Sequence, residues 1–166
     1  YTDEQKQIMG IASHMSYDSP PPFNATFAEV EVDTLTGTVR VIKIVSVTDA
    51  GQIINPKMAE GQIEGGIPQA LGMTLSEFMP FDEKGRPINL DFNSYHIYTA
   101  KDMPELVVRF AESHEPTGPY GAKAVAEIPI NAPAPAVANA VYNAVGVRVK
   151  HLPIKPQQIL EEMDLG

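Results

Sequence analysis

Residues 23–48 alternate in side-chain character with a period of two, and this pattern constrains the fold more than any other feature of the chain. Such alternation is typical of strands that turn one face toward a core. The turn Thr34–Gly37 separates a first strand over 23–33 from a second over 38–48. In the second strand one face holds Val39, Val41, Lys43, Val45 and Val47, and the other holds Arg40, Ile42, Ile44 and Ser46. The sequence therefore predicts a β-hairpin whose second strand is buried on both faces.

A glycine-rich helix is predicted after the hairpin. Asn55 followed by Pro56 is typical of a helix start, and an apolar stripe with helical spacing continues to about Phe78. Pro68 cannot donate its helical hydrogen bond to Glu64, so we expect a bend there. Each glycine in a helix costs about 1 kcal/mol relative to alanine. We therefore expect the four glycines of this helix to permit close approach by another group; they are Gly61, Gly65, Gly66 and Gly72.

Shorter patterns complete the predicted architecture. The N-terminal segment 1–22 is predicted as a helix over 3–15 and a proline-rich linker, and 23–166 as one domain. Small residues without a clear period fill 113–130, which is typical of a functional loop. The other predicted elements are a strand over 106–111, a helix over 133–145 ended by Gly146, a strand over 148–152 and a helix over 156–163. The fold class is α+β, with a β-hairpin and mixed sheet packed against the glycine-rich helix and the C-terminal helices.

Composition excludes several classes of function. Twelve basic and twenty-one acidic side chains give a formal net charge of −9, which repels a phosphate backbone, so no nucleic-acid partner is expected. The chain has no cysteine, so it holds no disulfide, thiolate zinc site or iron–sulfur cluster of its own. No apolar run approaches the roughly 18 residues of a membrane span, and no secretory signal opens the sequence. We expect a cytoplasmic protein with no membrane partner.

Familiar catalytic and ligand-binding motifs are mostly missing. The segment Gly121–Ala124 lacks the spacing and the hydroxyl residue of a phosphate loop. The four histidines have no metal-ligand spacing, so no metal site made of side chains is predicted; they are His14, His96, His114 and His151. Glu127 stands among small apolar residues, where desolvation would raise its pKa and make it a general base. The alternative is that Glu127 starts a helix or forms a structural ion pair.

Two long segments, in order, resemble those of the molybdenum hydroxylases, the family of xanthine dehydrogenase and aldehyde oxidase. Asn55-Pro56 followed by Gly61–Gly72 is similar to the family's cofactor-binding helix, and Gly118–Glu127 is similar to its active-site loop. The end of the chain, 148–160, also resembles the family's last segment. On this resemblance the chain is identified as the C-terminal part of a molybdopterin-binding domain or subunit.

The resemblance implies roles for individual residues. It implies that Glu127 is the general base for a molybdenum-bound hydroxyl, that Gln62 hydrogen-bonds the cofactor near the metal and that the backbone of Val125 approaches the pterin. Lys123, Gly121 and Gly61 belong to the same implied cofactor-binding segments. Ala124 and Ala126 stand where the family often has glycine. No side chain of the chain is implied to bind the metal directly.

The implied reaction is the hydroxylation of an N-heterocycle of the purine or nicotinate type, or of an aldehyde. The implied cofactor is molybdenum-pterin, as molybdopterin or its cytosine dinucleotide, with iron–sulfur clusters and FAD on other domains or subunits. The implied partners are those subunits, the remaining half of the molybdopterin-binding part and a small-molecule substrate. Two other readings stay open: a non-catalytic assembly domain that packs against partner subunits of such a complex, and an unrelated α+β binding module.

Overall fold

The computed structural model describes residues 12, 13, 15, 18 and 20–164. Most of the helix predicted over 3–15 therefore lies outside the described residues. The elements, in chain order, are β1 (Phe23–Val32), β2 (Val39–Asp49), α1 (Pro56–Leu75), β3 (Glu105–Phe110), a 3₁₀ turn (Pro119–Gly121), α2 (Ile128–Asn131), α3 (Pro133–Val145) and α4 (Pro156–Asp164). The hairpin, the mixed sheet and the packed helices confirm the predicted α+β class.

The sheet has three strands in the order β1-β2-β3, with β2 antiparallel to β1 and parallel to β3. The predicted regular alternation of β2 is wrong at one position. Glu29 pairs with Lys43 and Val30 pairs with Val41, so Ile42 is an extra residue in a β-bulge. The bulge shifts the phase of the strand, and the fully buried side chains are therefore Val41, Ile44, Ser46 and Thr48. The opposite face of β2 is only half-buried.

Helix α1 buries its apolar stripe against β3, α2 and α3, while α3 lies against β1. The Oδ1 atom of Asn55 accepts a hydrogen bond from the amide of Met58 at 3.1 Å, which confirms the predicted start. The helix ends at Leu75, three residues before the predicted end, because the amides of Ser76 and Glu77 both donate to the carbonyl of Gly72. Its fully buried side chains are Ile63, Ile67, Leu71 and Thr74. The bend predicted from Pro68 stays a prediction.

The C-terminal part differs from the prediction in two places. A separate short helix, α2, precedes α3, and no strand forms over 148–152. Instead the amide of Ile154 donates to the carbonyl of Thr74 at 2.7 Å, which ties this segment to the end of α1 rather than to the sheet. The helix α3 ends at Gly146 with a φ of 77°, as predicted. Side chains of α3 and α4 complete the core; they are Val137, Val141 and Ile159.

The segment 80–104 is an irregular loop between α1 and β3, with one isolated bridge between Phe81 and Pro87. The hydroxyl of Tyr95 donates to the Glu77 carboxylate at 2.5 Å and so fastens the loop to the end of α1. Among the described residues, no helix is long and apolar enough to cross a membrane. The cytoplasmic location stays a prediction.

Candidate functional site

A cleft of about 420 Å³ opens between the end of β2, the first turns of α1 and the loop 122–126. These segments are adjacent because the turn after β2 pairs with the loop: Gly51 and Ala122 form a bridge, and the amide of Gln52 donates to the carbonyl of Gly121 at 2.7 Å. The residues that line the cleft include Gln52, Met58, Gln62, Lys123, Val125 and Ala126. Three residues predicted from the sequence therefore meet here: Gln62, Lys123 and Val125.

Gln62 joins the helix to the loop. Met58 and Gln62 lie one turn apart on α1, so both side chains reach the cleft. The Nε2 group of Gln62 donates to the carbonyl of Ala126 at 2.7 Å. Among the described residues nothing donates to its Oε1 atom. Gln62 therefore holds the loop with one end of its amide and keeps an acceptor for another group.

The loop presents unpaired backbone donors. Val125 is half-buried and packs against the hydrophobic core, while Ala124 and Ala126 are exposed on either side of it. Within the described part of the chain, the amides of 124–126 donate to no acceptor. Amide groups of this kind are strong donors that are satisfied by water or by a ligand. The two alanines thus add only methyl groups beside a row of donors.

Glu127 follows this row and lies at the start of α2, without a capping hydrogen bond. Its side chain is exposed and lines a neighbouring cleft of about 400 Å³ together with Ala124, Ala126 and Ile128. The predicted desolvation of Glu127 is therefore wrong for the described chain, because the residues around it are small and leave the carboxylate open to solvent. The alternative that Glu127 stands at the start of a helix is confirmed for its position.

Lys123 is held by a residue that the sequence analysis did not single out. Its Nζ atom lies 2.7 Å from the Oδ2 atom of Asp49, the last residue of β2. The Lys123 hydrogen bond is the main cause that lowers the pKa of Asp49 to about 2, and a hydrogen bond from Ser113 adds to it. Asp49 and Lys123 are 74 residues apart in sequence, so no local pattern reveals the pair.

The two predicted glycines of the site differ in what surrounds them. Gly121 is buried with a φ of 83°, and a Cβ atom there would lie 2.2 Å from Nδ1 of His114. It is therefore required by the loop itself. Gly61 lies on the open surface of α1, where a Cβ atom would meet nothing within 4 Å. A requirement for glycine at position 61 would have to come from a group outside the described chain.

Comparison with known proteins identifies the family. Residues 4–104 match the family of the molybdopterin cofactor-binding domain. The chain is 37% identical over 161 residues to the xanthine dehydrogenase molybdenum-binding subunit of Escherichia coli O157:H7, which covers 96% of this chain and 21% of the relative. It is 36% identical over 143 residues to the aldehyde oxidoreductase molybdenum-binding subunit PaoC of Escherichia coli K12, covering 85% of this chain and 20% of the relative.

The fold is shared as well. The crystal structure of the aldehyde oxidoreductase from Desulfovibrio desulfuricans matches with a TM-score of 0.76 and 36% identity, over 84% of this chain and 15% of that chain. The chain spans about a fifth or less of the length of the curated relatives it matches. The family match, the relatives and the shared fold agree: this chain belongs to the molybdopterin-binding domains of the molybdenum hydroxylases, the xanthine dehydrogenase and aldehyde oxidoreductase family.

Proposed function

We propose that this chain forms one wall of the molybdenum-pterin site of an oxidoreductase that hydroxylates an N-heterocycle or an aldehyde. The observation that carries the proposal is the convergence, at one cleft, of Gln62 with the unpaired amides of 124–126. Both are hydrogen-bonding groups, and pterins offer many ring nitrogens and oxygens to such groups. The names of the two curated relatives support both substrate classes.

The residues present fit such a cofactor. A flat, polar ring system needs donors and acceptors at its edge and small residues beside its face. The loop supplies amide donors, Gln62 supplies an acceptor, and Gly61 leaves the helix surface bare. A cleft that is open on one side leaves most of a large ligand uncovered, whereas good sites bury about 70–90% of one. We therefore propose that further protein covers the other side of the cofactor.

Each predicted residue then has a role. Glu127 would act as the general base, accepting at its carboxylate the proton released by the hydroxyl that adds to the substrate carbon. Gln62 and the Val125 backbone bind the cofactor, and Gly61 permits its approach. Gly121 and Lys123 hold the loop that carries these groups, because the ammonium of Lys123 is already paired with Asp49. When bound, the molybdenum centre supplies the two-electron redox chemistry that no side chain of this chain provides.

The cofactor form and the partners follow from the same proposal. We propose molybdopterin or its cytosine dinucleotide as the cofactor, held by protein on both sides of the cleft. Since the chain has no cysteine for iron–sulfur ligation, we place the iron–sulfur clusters and FAD on other domains or subunits. The curated relatives are named as subunits, which supports partner subunits in a complex.

A substitution at Gln62 tests this proposal. In the complete enzyme Gln62→Ala removes both the acceptor in the cleft and the hydrogen bond to the loop, so we expect the molybdenum and pterin content to fall at least severalfold, as the loss of two hydrogen bonds of about 0.5–1.5 kcal/mol each predicts. Gln157→Ala, at an exposed position in α4, is the matched control and is expected to keep full content. Equal molybdenum and pterin content in both variants would contradict a role for this cleft and favour the assembly-domain reading.

A further inference from the structure

Asp49 lies where three segments of the fold meet. Its carboxylate accepts hydrogen bonds from Nζ of Lys123 at 2.7 Å, from the hydroxyl of Ser113, and from the amide of Gly51 at 3.1 Å. It therefore connects the end of β2, the segment after β3 and the loop that leads to Glu127. Gln62 takes part in none of these hydrogen bonds, because its own hydrogen bond goes to the carbonyl of Ala126.

The ion pair is shielded from solvent. The side chain of Lys123 is 10% exposed and that of Asp49 is 21% exposed. The Nζ atom also lies 5.4 Å from the ring centroid of Phe23, at the start of β1. An ammonium in such surroundings is costly without a partner, whereas exposed pairs contribute little. Lys123 would therefore leave this place if Asp49 lost its charge.

The position of Lys123 decides which residues of the loop face outward. Its amide donates to the carbonyl of Ala50 at 2.8 Å, so the loop runs alongside the turn after β2. Lys123 and Val125 are both directed inward, one into the ion pair and the other against the core, while Ala124 and Ala126 are exposed between and after them. In this arrangement residues 122–126 all line the cleft. The same arrangement also fixes the chain immediately before Glu127.

We propose that Asp49 is a positioning residue: it holds Lys123 and thereby fixes the orientation of the loop that presents 124–126 and Glu127. This inference rests on the proposed function for its effect on turnover. The proposed effect of Asp49 on the loop concerns only this chain and is tested without cofactor. Asp49 itself lies beneath the loop and is not placed in contact with substrate or cofactor.

Asp49→Asn removes the charge but keeps the shape of the side chain and its hydrogen bonds from Ser113 and Gly51. It therefore tests the ion pair with Lys123 directly. We expect the amides of Gln52 and Lys123, which bond the loop to the turn, to exchange with solvent about tenfold faster or more, because their hydrogen bonds open when the ion pair is lost. Exchange along the β1–β2 ladder is expected to stay near that of the parent. Glu105→Gln breaks the Lys43–Glu105 ion pair, whose side chains are 34% and 63% exposed, and serves as the control with unchanged loop exchange.

In the complete enzyme, Asp49→Asn is expected to lower kcat by about tenfold to a hundredfold, as misplacement of a catalytic group does, with KM changed far less. Equal exchange in Asp49→Asn and Glu105→Gln would overturn the proposal. So would a uniform rise in exchange over β1, β2 and α1, which indicates general destabilisation, or faster loop exchange with unchanged kcat.

If Asp49→Asn does not fold, a second variant, Lys123→Met, tests the same proposal. Lys123→Met removes the ammonium, while the Asp49 carboxylate keeps its hydrogen bonds from Ser113 and Gly51 in place of the lost counter-charge. The same local rise in exchange at Gln52 and the same fall in kcat are expected. If the parent enzyme contains neither molybdenum nor pterin, the proposed function fails, while the exchange measurement still decides the role of Asp49.

Discussion

Glu127 is the residue on which the proposed chemistry depends most. Glu127→Gln keeps the size and polarity of the side chain, so the loop and the cofactor site are expected to stay intact. We predict that molybdenum content is unchanged and that turnover falls by about 10²–10⁴, the usual contribution of a positioned acid or base. Metal analysis and steady-state kinetics of the complete enzyme measure both quantities.

The control for this prediction is Glu83→Gln, an exposed carboxylate in the loop 80–104. It is expected to keep the parent's turnover. Turnover of Glu127→Gln within a few-fold of the parent would remove Glu127 from the role of base. Because Glu127 is exposed in this chain, we expect protein on the other side of the cleft to cover its carboxylate in the complete enzyme.

Single residues were predictable where the partner is close in sequence or where a long motif marks the position. Gln62, Val125 and Lys123 were predicted from the resemblance and do meet at one cleft. Asp49 was not predicted, because its partner Lys123 lies 74 residues away and only the pairing of the loop with the β2 turn brings them together. The exposure of Glu127 depends on packing in the same way.

The glycines of α1 divide into two kinds. A Cβ atom at Gly66 would lie 2.4 Å from Cγ of Pro129, and one at Gly72 would lie 2.1 Å from the Glu77 carboxylate. The Pro129 ring cannot move aside, so glycine is required at position 66, whereas the flexible Glu77 side chain can shift at position 72. Gly61 and Gly65 meet nothing within 4 Å, so no contact inside the chain requires glycine there. Other residues of this chain therefore come close to Gly66 and Gly72, as expected. At Gly61 and Gly65 a close neighbour would have to come from a group outside the described chain.

This division predicts opposite effects on stability. In the 166-residue chain Gly65→Ala is expected to raise the free energy of unfolding by up to about 1 kcal/mol, because alanine is the better helix former and has room. Gly66→Ala is expected to lower it by about 1–3 kcal/mol, because the added methyl group overlaps Pro129. Denaturant titration of both variants measures the difference. A loss of stability in Gly65→Ala would contradict the open space assigned to that position.

A larger substitution at Gly65 tests cofactor binding. In the complete enzyme Gly65→Leu is expected to lower pterin content, because a large side chain would fill the space that the bare helix surface leaves for the cofactor or a neighbouring backbone. Pterin analysis of the purified enzyme measures this loss. Normal content would show that glycine at position 65 is merely tolerated.

Elements with strong local signals were predicted well. The hairpin, the start of α1 at Asn55 and the end of α3 at Gly146 follow from alternation, a capping side chain and a left-handed glycine. The bulge at Ile42 and the missing strand over 148–152 were not predictable, because both depend on distant partners. Residues 148–152 have the composition of a strand, yet the neighbouring Ile154 bonds to the end of α1.

Large apolar side chains are exposed on the surface of the molecule along 78–97. Their exposed fractions reach 77% at Leu90 and 79% at Phe92. Apolar surface of this kind favours association. We predict that the isolated chain self-associates at micromolar concentration, as sedimentation velocity would show, and that Phe92→Ser reduces this association. Leu35→Ser, at an even more exposed position in the hairpin turn, is the control; a monodisperse parent chain would contradict the prediction.

On the proposed function, this chain supplies one wall of a molybdenum-pterin site, and the opposite wall is other protein. The most direct test is molybdenum and pterin analysis of the complete enzyme beside the isolated 166-residue chain loaded with cofactor under the same conditions. We predict stoichiometric molybdenum and pterin in the complete enzyme and almost none retained by the isolated chain, since its open cleft covers too little of so large a ligand. Stoichiometric molybdenum on a monomer of the isolated chain would contradict the claim.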